Sequence, residues 1–180
     1  MNRRALLALA AALPFAGAAR AETAAAGRLV LHEAMASAHA KTRNVSVWLP
    51  PGYDASDARH PVLYMHDGQN LFDASTANFG EWGVDEHLTR LIAGDQVRAP
   101  IVVGVWNTDL RLREYLPSDL IAALPAEMRD EVQAIYGGPP LSDGYLRFLT
   151  DELKPFVDGT YRTLTGPCLL YTSDAADEGV

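Results

Sequence analysis

The 180-residue chain is long enough for about one domain, with 48% apolar and 21% charged residues and a formal net charge of −8. That acidity, with no basic stripe or arginine-rich run, argues against nucleic acid as a partner and gives no pull toward anionic surfaces. A single cysteine, Cys168, excludes an internal disulfide.

The chain opens with a short cationic segment, Asn2-Arg3-Arg4, then an Ala- and Leu-rich run over residues 5–19, then the A-x-A cleavage pattern Ala19-Arg20-Ala21. These are the three parts of a secretory signal, whereas a membrane anchor needs about 20 apolar residues. Residues 1–21 are therefore expected to be removed. The mature protein, starting at Glu22, is expected in the periplasm or outside the cell, with no membrane span.

Leu29-Val30-Leu31 predicts a first strand and residues 44–49 a second. In the second, Val45, Val47 and Leu49 alternate with Asn44, Ser46 and Trp48, the period-two pattern of a half-buried strand. The two are expected to pair antiparallel. Pro50-Pro51 ends the second strand, because proline cannot donate a ladder hydrogen bond. Pro61-Val-Leu-Tyr-Met-His-Asp-Gly-Gln-Asn-Leu-Phe-Asp73 reads as a buried strand, 62–65, running into a polar turn marked by Asp67-Gly68. Residues 78–83 form a second loop, containing Phe79 and Trp82. Val84, Leu88, Leu91 and Ile92 then share one face of a helix over 84–93, ended by Gly94. Residues 101–105 are another continuous apolar strand, which completes a right-handed βαβ unit with parallel strands.

The loop over 106–117 holds Asn107, Asp109, Arg111, Arg113, Glu114 and Tyr115. Residues 119–121 and 127–136 read as helical, and Gly137-Gly138-Pro139-Pro140 breaks the chain. Ser142-Asp143 predicts a cap for a helix from Tyr145 to about Val157, with Leu146, Leu149, Leu153, Phe156 and Val157 as its core face. Pro155 is expected to kink or shorten its end. The class is α/β, a mostly parallel sheet that opens with an antiparallel strand pair. A further parallel strand is due after this helix, and the sequence reads as offering none.

Val45-Ser-Val-Trp-Leu-Pro-Pro-Gly-Tyr53, Pro61-Val-Leu-Tyr-Met-His-Asp-Gly-Gln69, Trp82, Ile101-Val-Val-Gly-Val-Trp-Asn107, Arg113-Glu-Tyr115, Glu152-Leu-Lys-Pro-Phe156 and Tyr161-Arg162 together resemble the putative esterase family. This is the esterase-D-like branch of the α/β-hydrolases, and the resemblance covers about residues 40–165. Its members include siderophore, feruloyl and acetylxylan esterases, S-formylglutathione hydrolases and mycolyltransferases. The resemblance implies the N-terminal half of an α/β-hydrolase fold and a Ser-His-Asp/Glu triad, which needs no cofactor. The nucleophile would lie in a G-x-S-x-G elbow after the fifth strand, and one oxyanion donor in the loop after the third.

Carried over residue by residue, that donor is the backbone N–H of Gln69. Gly68 would supply the close approach or positive φ of the turn, and Asp67 would brace it through backbone hydrogen bonds. Asp-Gly is also an ordinary turn. His66 precedes any nucleophile, while the fold places its base last, so His66 reads as a structural histidine. His66, Asp67 and Asp73 fit no common zinc or EF-hand spacing, and no metal is expected. Trp82, Trp106, Asn107 and Arg113 are candidate contacts for a small-molecule or sugar-linked ester. The alternative makes Trp82 and Trp106 core-edge aromatics and Arg113–Glu114 a structural pair.

The elbow is absent from the sequence: Ser142 lies in Leu-Ser-Asp-Gly and Ser173 in Thr-Ser-Asp-Ala. Nucleophile and triad are therefore expected outside this chain. Residues 168–178 resemble the translation of a transposase sequencing adapter, and the family pattern stops near Gly166-Pro167. The organisation expected is a signal peptide at 1–21, a truncated esterase domain at 22–167 and a non-native tail at 168–180. The function expected is that of a fragment of an exported serine carboxylic-ester hydrolase, inactive alone. The competing expectation is a non-catalytic exported protein that binds a ligand or partner.

Overall fold

A computed structural model describes residues 27–165 and the backbone of 169–171. The leader and most of the 168–180 segment lie outside the described residues. Among the described residues, five strands form one sheet in the order β1-β2-β4-β3-β5. They are β1 (Arg28–Met35), β2 (Arg43–Leu49), β3 (Val62–His66), β4 (Ile101–Val105) and β5 (Leu169–Tyr171). β2 pairs antiparallel with β1 and with β4, while β3 pairs parallel with β4 and with β5. Only β2 therefore runs against the others, and the α/β class with an antiparallel opening pair holds.

Two expectations about the sheet are corrected. A strand does follow the last helix: Leu169, Leu170 and Tyr171 register against Leu63, Tyr64 and Met65, so the middle of β3 is not an open edge. Three residues are too short a run to register as a strand from pattern alone. Nor is β2 half-buried. Lying between β1 and β4, it is covered on both faces, with Val45, Val47 and Leu49 in one core cluster and Trp48 in the other. Period-two alternation reports a wet face only where the polar positions reach water. Here Ser46 is buried, and its Oγ accepts the Trp106 Nε1 hydrogen at 2.8 Å.

Helices cover both faces of the sheet. Helix α1 (Val84–Ala93) brings Val84, Leu88 and Ile92 against Trp48, Met65, Leu71, Phe72 and Val102. After β4 come the short helices α2 (Arg111–Glu114) and α3 (Ser118–Ala122), then α4 (Ala126–Tyr136), which stops where Gly137 takes a φ of 80°. A long helix then crosses the other face in three pieces: α5 (Ser142–Arg147), a π-helical segment (Phe148–Leu153) and α6 (Lys154–Thr160).

The start and face of this helix differ from expectation. Ser142 does not cap it; it is the first helical residue, and its Oγ accepts the Ser118 N–H at 3.0 Å. The helix runs through Pro155. Proline lacks one backbone donor and its ring crowds the carbonyl four residues back, and the wider π turn just upstream accommodates both. That turn also rotates the buried stripe. Tyr145, Phe148, Leu149, Leu153 and Val157 are buried, whereas Leu146 is 51% and Phe156 36% exposed. Steps of four residues (145, 149, 153, 157) hold one face only where the winding exceeds 3.6 residues per turn.

The register can be checked by substitution. Leu153→Ala is expected to cost about 2–5 kcal/mol and Leu146→Ala within about 0.5 kcal/mol, both by urea denaturation. Equal costs would contradict the wide-turn packing.

Candidate active-site turn and adjoining cleft

From β3 the chain passes over one sheet face through α1 to reach β4. From β4 it passes over the other face, through α5 and α6, to reach β5 on the far side of β3. The chain thus leaves the carboxyl ends of β3 and β4 toward opposite faces, the arrangement that opens a crevice in α/β sheets. His66 ends β3 at this crevice, and Gly68–Asn70 form a single 3₁₀ turn beyond it.

The turn is built by contact with β4. A Cβ on Gly68 would lie 2.4 Å from the Gly104 carbonyl carbon and 2.5 Å from its oxygen, so the backbones touch where only glycine fits. The left-handed residue is Asp67, with φ 55° and ψ 43°, and not Gly68. Such a conformation is costly for a side-chain-bearing residue and needs support from its surroundings.

Support comes through the Asp67 carboxylate, and not through the backbone hydrogen bonds expected of it. Oδ1 accepts from Asn107 Nδ2 at 2.7 Å, Arg111 Nε at 2.9 Å and Tyr115 Oη at 3.3 Å, and Oδ2 accepts from Arg111 Nη2 at 2.8 Å. Burial alone would raise the Asp67 pKa, but hydrogen bonds from Arg111 and Asn107, with the Arg111 charge, hold it below the usual carboxylate range.

Within the turn, Asn70 N–H donates to Asp67 O at 2.9 Å and Leu71 N–H to Gly68 O at 3.4 Å. The Gln69 N–H engages no acceptor among the described residues. The Gln69 side chain is buried and its Oε1 accepts the Asn107 N–H at 3.2 Å. Turn and following loop are then tied together by Trp82 N–H to Asn70 O at 2.8 Å and Val84 N–H to Leu71 O at 3.0 Å.

Beside the turn lies a cleft of about 360 Å³, bounded by His66, by residues 114–119 and by the start of α5. The His66 Nδ1 is 2.8 Å from the Tyr145 hydroxyl. Its ring lies 4.7 Å from that of Tyr115 and 5.5 Å from that of Tyr145. Burial raises the pKa of both phenols, reinforced at Tyr115 by the Asp67 charge, so both remain protonated at neutral pH. Behind them Arg43 and Glu114 form a buried ion pair, with side chains 0% and 2% exposed. Arg43 Nη1 donates to Glu114 Oε2 at 3.1 Å, Nη2 donates to Oε1, and the guanidinium lies 4.8 Å from the Tyr145 ring centre.

Glu114 thus pairs with Arg43, which corrects the Arg113–Glu114 pairing. Arg113 instead packs on Gly138 and donates to Pro139 O at 2.8 Å, away from the cleft wall. Of the other expected site residues, Gly68, Gln69 and Asn107 meet at the turn. Trp106 is anchored to Ser46, and Trp82 packs on the cluster beneath α1. Asp73 is exposed and accepts the Ser75 N–H at 2.7 Å, within its own turn. Sequence reasoning missed Arg43, the roles of Arg111 and Tyr115, and Tyr145. Arg111 and Tyr115 lie in a segment that the sequence does mark as a carboxyl-end loop. Tyr145 is 79 residues from its partner His66, with no local signal to join them.

Residues 36–171 match the model of a family described as Putative esterase. The match runs past Pro167 into β5, further than the sequence pattern suggested. Among solved structures, an IroE-like serine hydrolase from Shewanella oneidensis shares 26% identity at a TM-score of 0.54, over 76% of this chain and 40% of that one. Siderophore hydrolase EstA from Aspergillus nidulans shares 19% at 0.53, over 92% and 52%. A ferulic acid esterase shares 19% at 0.50, over 81% and 48%. The last two likenesses speak to fold. The chain spans between 40% and 52% of the lengths of these proteins. Comparison with curated protein sequences finds none that matches. No helix among the described residues is long and apolar enough to cross a membrane.

Two measurements test the electrostatics. A depressed folded-state pKa makes Asp67 stabilising above its ordinary value of 3.8, and that stability is lost as pH falls through the folded value. Urea midpoints should therefore fall on acidification from about pH 6 to about pH 3, and less steeply in Asp67→Asn. Glu114→Gln leaves the Arg43 charge buried and uncompensated, and should cost about 3–5 kcal/mol. An effect as small as that of Arg113→Ala would contradict the pairing.

Proposed function

The chain belongs to the Putative esterase family, and we propose that it carries the oxyanion-hole side of a serine carboxylic-ester hydrolase. The observation behind this proposal is the turn after β3. Its Gln69 N–H is unengaged among the described residues, three positions along the chain from His66 of the cleft wall, on a backbone fixed by the Gly68–Gly104 contact and the Asp67 carboxylate. When a serine attacks an ester carbonyl, the oxygen gains negative charge. A fixed N–H aimed at it lowers the barrier by about 3–4 kcal/mol, because the donor need not reorganise. The second donor and the Ser-His-Asp/Glu triad would come from a G-x-S-x-G elbow and later residues, which this sequence does not contain. His66 is engaged with Tyr145, and we assign it to the cleft wall. We further propose export to the periplasm or medium, with cleavage after Ala21.

The 180-residue chain alone is expected to hydrolyse p-nitrophenyl acetate no faster than buffer, and turnover by it would refute the assignment of the nucleophile elsewhere. In a longer product of the same gene carrying the elbow, Gln69→Pro removes the N–H and should lower kcat by about 10²–10³. Gln69→Ala keeps the N–H and should retain most activity. Equal losses in two variants with matching melting curves would overturn the oxyanion role. A secreted product whose N-terminus is not Glu22 would overturn the cleavage site.

A further inference from the structure

The cleft beside the turn has a charge character that bears on which substrate an esterase built on it would take. Its walls combine aromatic rings with carboxylates. The rings of His66, Tyr115 and Tyr145 lie 4.7–5.6 Å apart, centre to centre. Glu114, Asp119 and Asp143 supply carboxylates, and among the described residues no lysine or arginine side chain lines the space. The charges behind the wall cancel in pairs: Arg43 is matched by Glu114 and Arg111 by Asp67. Asp119 and Asp143, both exposed, form no ion pair among the described residues. The cleft is therefore left with a negative excess at its mouth.

The rings also behave as cation platforms within the molecule. Arg43 sits 4.8 Å from the Tyr145 ring centre and Arg111 4.7 Å from that of Tyr115. Tyrosine faces beside carboxylates attract ammonium groups through the ring quadrupole and the Coulomb term together. The same carboxylates repel an anionic ester, whose desolvation no basic residue of the wall would offset.

Resting on the esterase reading of the turn, we propose that this cleft binds the amine- or ammonium-bearing part of a carboxylic ester and discriminates against anionic esters. The ester carbonyl would then lie toward the Gln69 N–H, and the cationic group toward Asp119 and Asp143.

The test uses the whole 180-residue chain, labelled with nitrogen-15, and three ethyl esters of similar size. These are ethyl 4-aminobutyrate (cationic), ethyl pentanoate (neutral) and monoethyl succinate (anionic). The amine ester is expected to shift the amides of Tyr115, Ser118, Ser142 and Leu146 saturably, with a Kd about threefold or more below that of the neutral ester. Monoethyl succinate should leave these amides unmoved. In Asp119→Asn/Asp143→Asn the preference should disappear while the melting curve stays in place, and about 0.5 M sodium chloride should weaken it in the parent chain. Monoethyl succinate binding as tightly as the amine ester overturns the proposal. So does a preference that survives in the double variant, or no saturable shift with any ester. The readout is binding without turnover. A longer product of the gene, carrying the elbow, that binds the amine ester but cleaves no ester would refute the hydrolase reading and leave the charge preference standing.

Discussion

The carboxylate of Asp67 is the constraint on which the turn after β3 depends. β3 and β4 are held parallel by ladder bonds that end at His66 and Val105. Beyond them, two loops diverge toward opposite faces of the sheet. Asp67 bridges that divergence by accepting bonds from Asn107, Arg111 and Tyr115, all on the loop after β4. A single acceptor with three partners fixes three side chains and its own backbone at once. The left-handed conformation at Asp67 is unfavourable for most residues with a Cβ, and this set of bonds is what can hold it. Because the pair is half-buried, with Asp67 only 6% and Arg111 32% exposed at the side chain, salt screens it less than a fully exposed surface pair.

Below the turn, a fully buried ion pair does a different job. Arg43 enters from the start of β2 and Glu114 from α2, so their bond pins the segment after β4 to the end of that strand. The guanidinium also lies 5.2 Å from the centre of the Phe148 ring, in the π-helical segment. Sheet, loop and long helix therefore meet at one charged group. A buried pair of this kind is weak grounds for net stability, since both charges were taken out of water. Its contribution is to position: it sets where Tyr115 and Tyr145 stand, and so the shape of the cleft that His66 floors.

Much of this is legible in the chain, and the losses have physical causes. The βαβ unit is plain because continuous apolar runs and a 3.6-residue stripe are local signals. The turn can be found because Asp-Gly after a buried strand is a local signal too, and Gly68 proves necessary for close approach. What escapes is whatever depends on partners distant in sequence. Asp67 reads as a turn brace because its neighbours in the chain are turn residues, whereas its partners are 40 to 48 residues away. Glu114 invites pairing with the adjacent Arg113, and its actual partner lies 71 residues back. The core face of the last helix is misplaced when a 3.6-residue template is laid over a stretch with a wider turn ahead of Pro155. β5 escapes because three apolar residues carry too little pattern to outweigh the segment they sit in.

These features divide the site into two parts under different constraints. The oxyanion donor assigned to Gln69 is a backbone N–H, so no particular side chain at that position is needed to supply it. What it does require is glycine where Gly68 meets Gly104, and an anchored residue before it. Such requirements are few and positional, which suits a fold retained at 19–26% identity among the similar structures. The cleft wall is the reverse case. Tyr115, Asp119, Asp143 and Tyr145 line it with side chains, the first two from the stretch between β4 and the long helix and the last two from the start of that helix. Asp119 and Asp143 can vary without disturbing the turn, because neither bonds to Asp67, whereas Arg111 and Tyr115 are tied to it. On this account the sheet edge fixes where an ester carbonyl would be polarised, and the segment from 111 to 145 decides which ester could reach it.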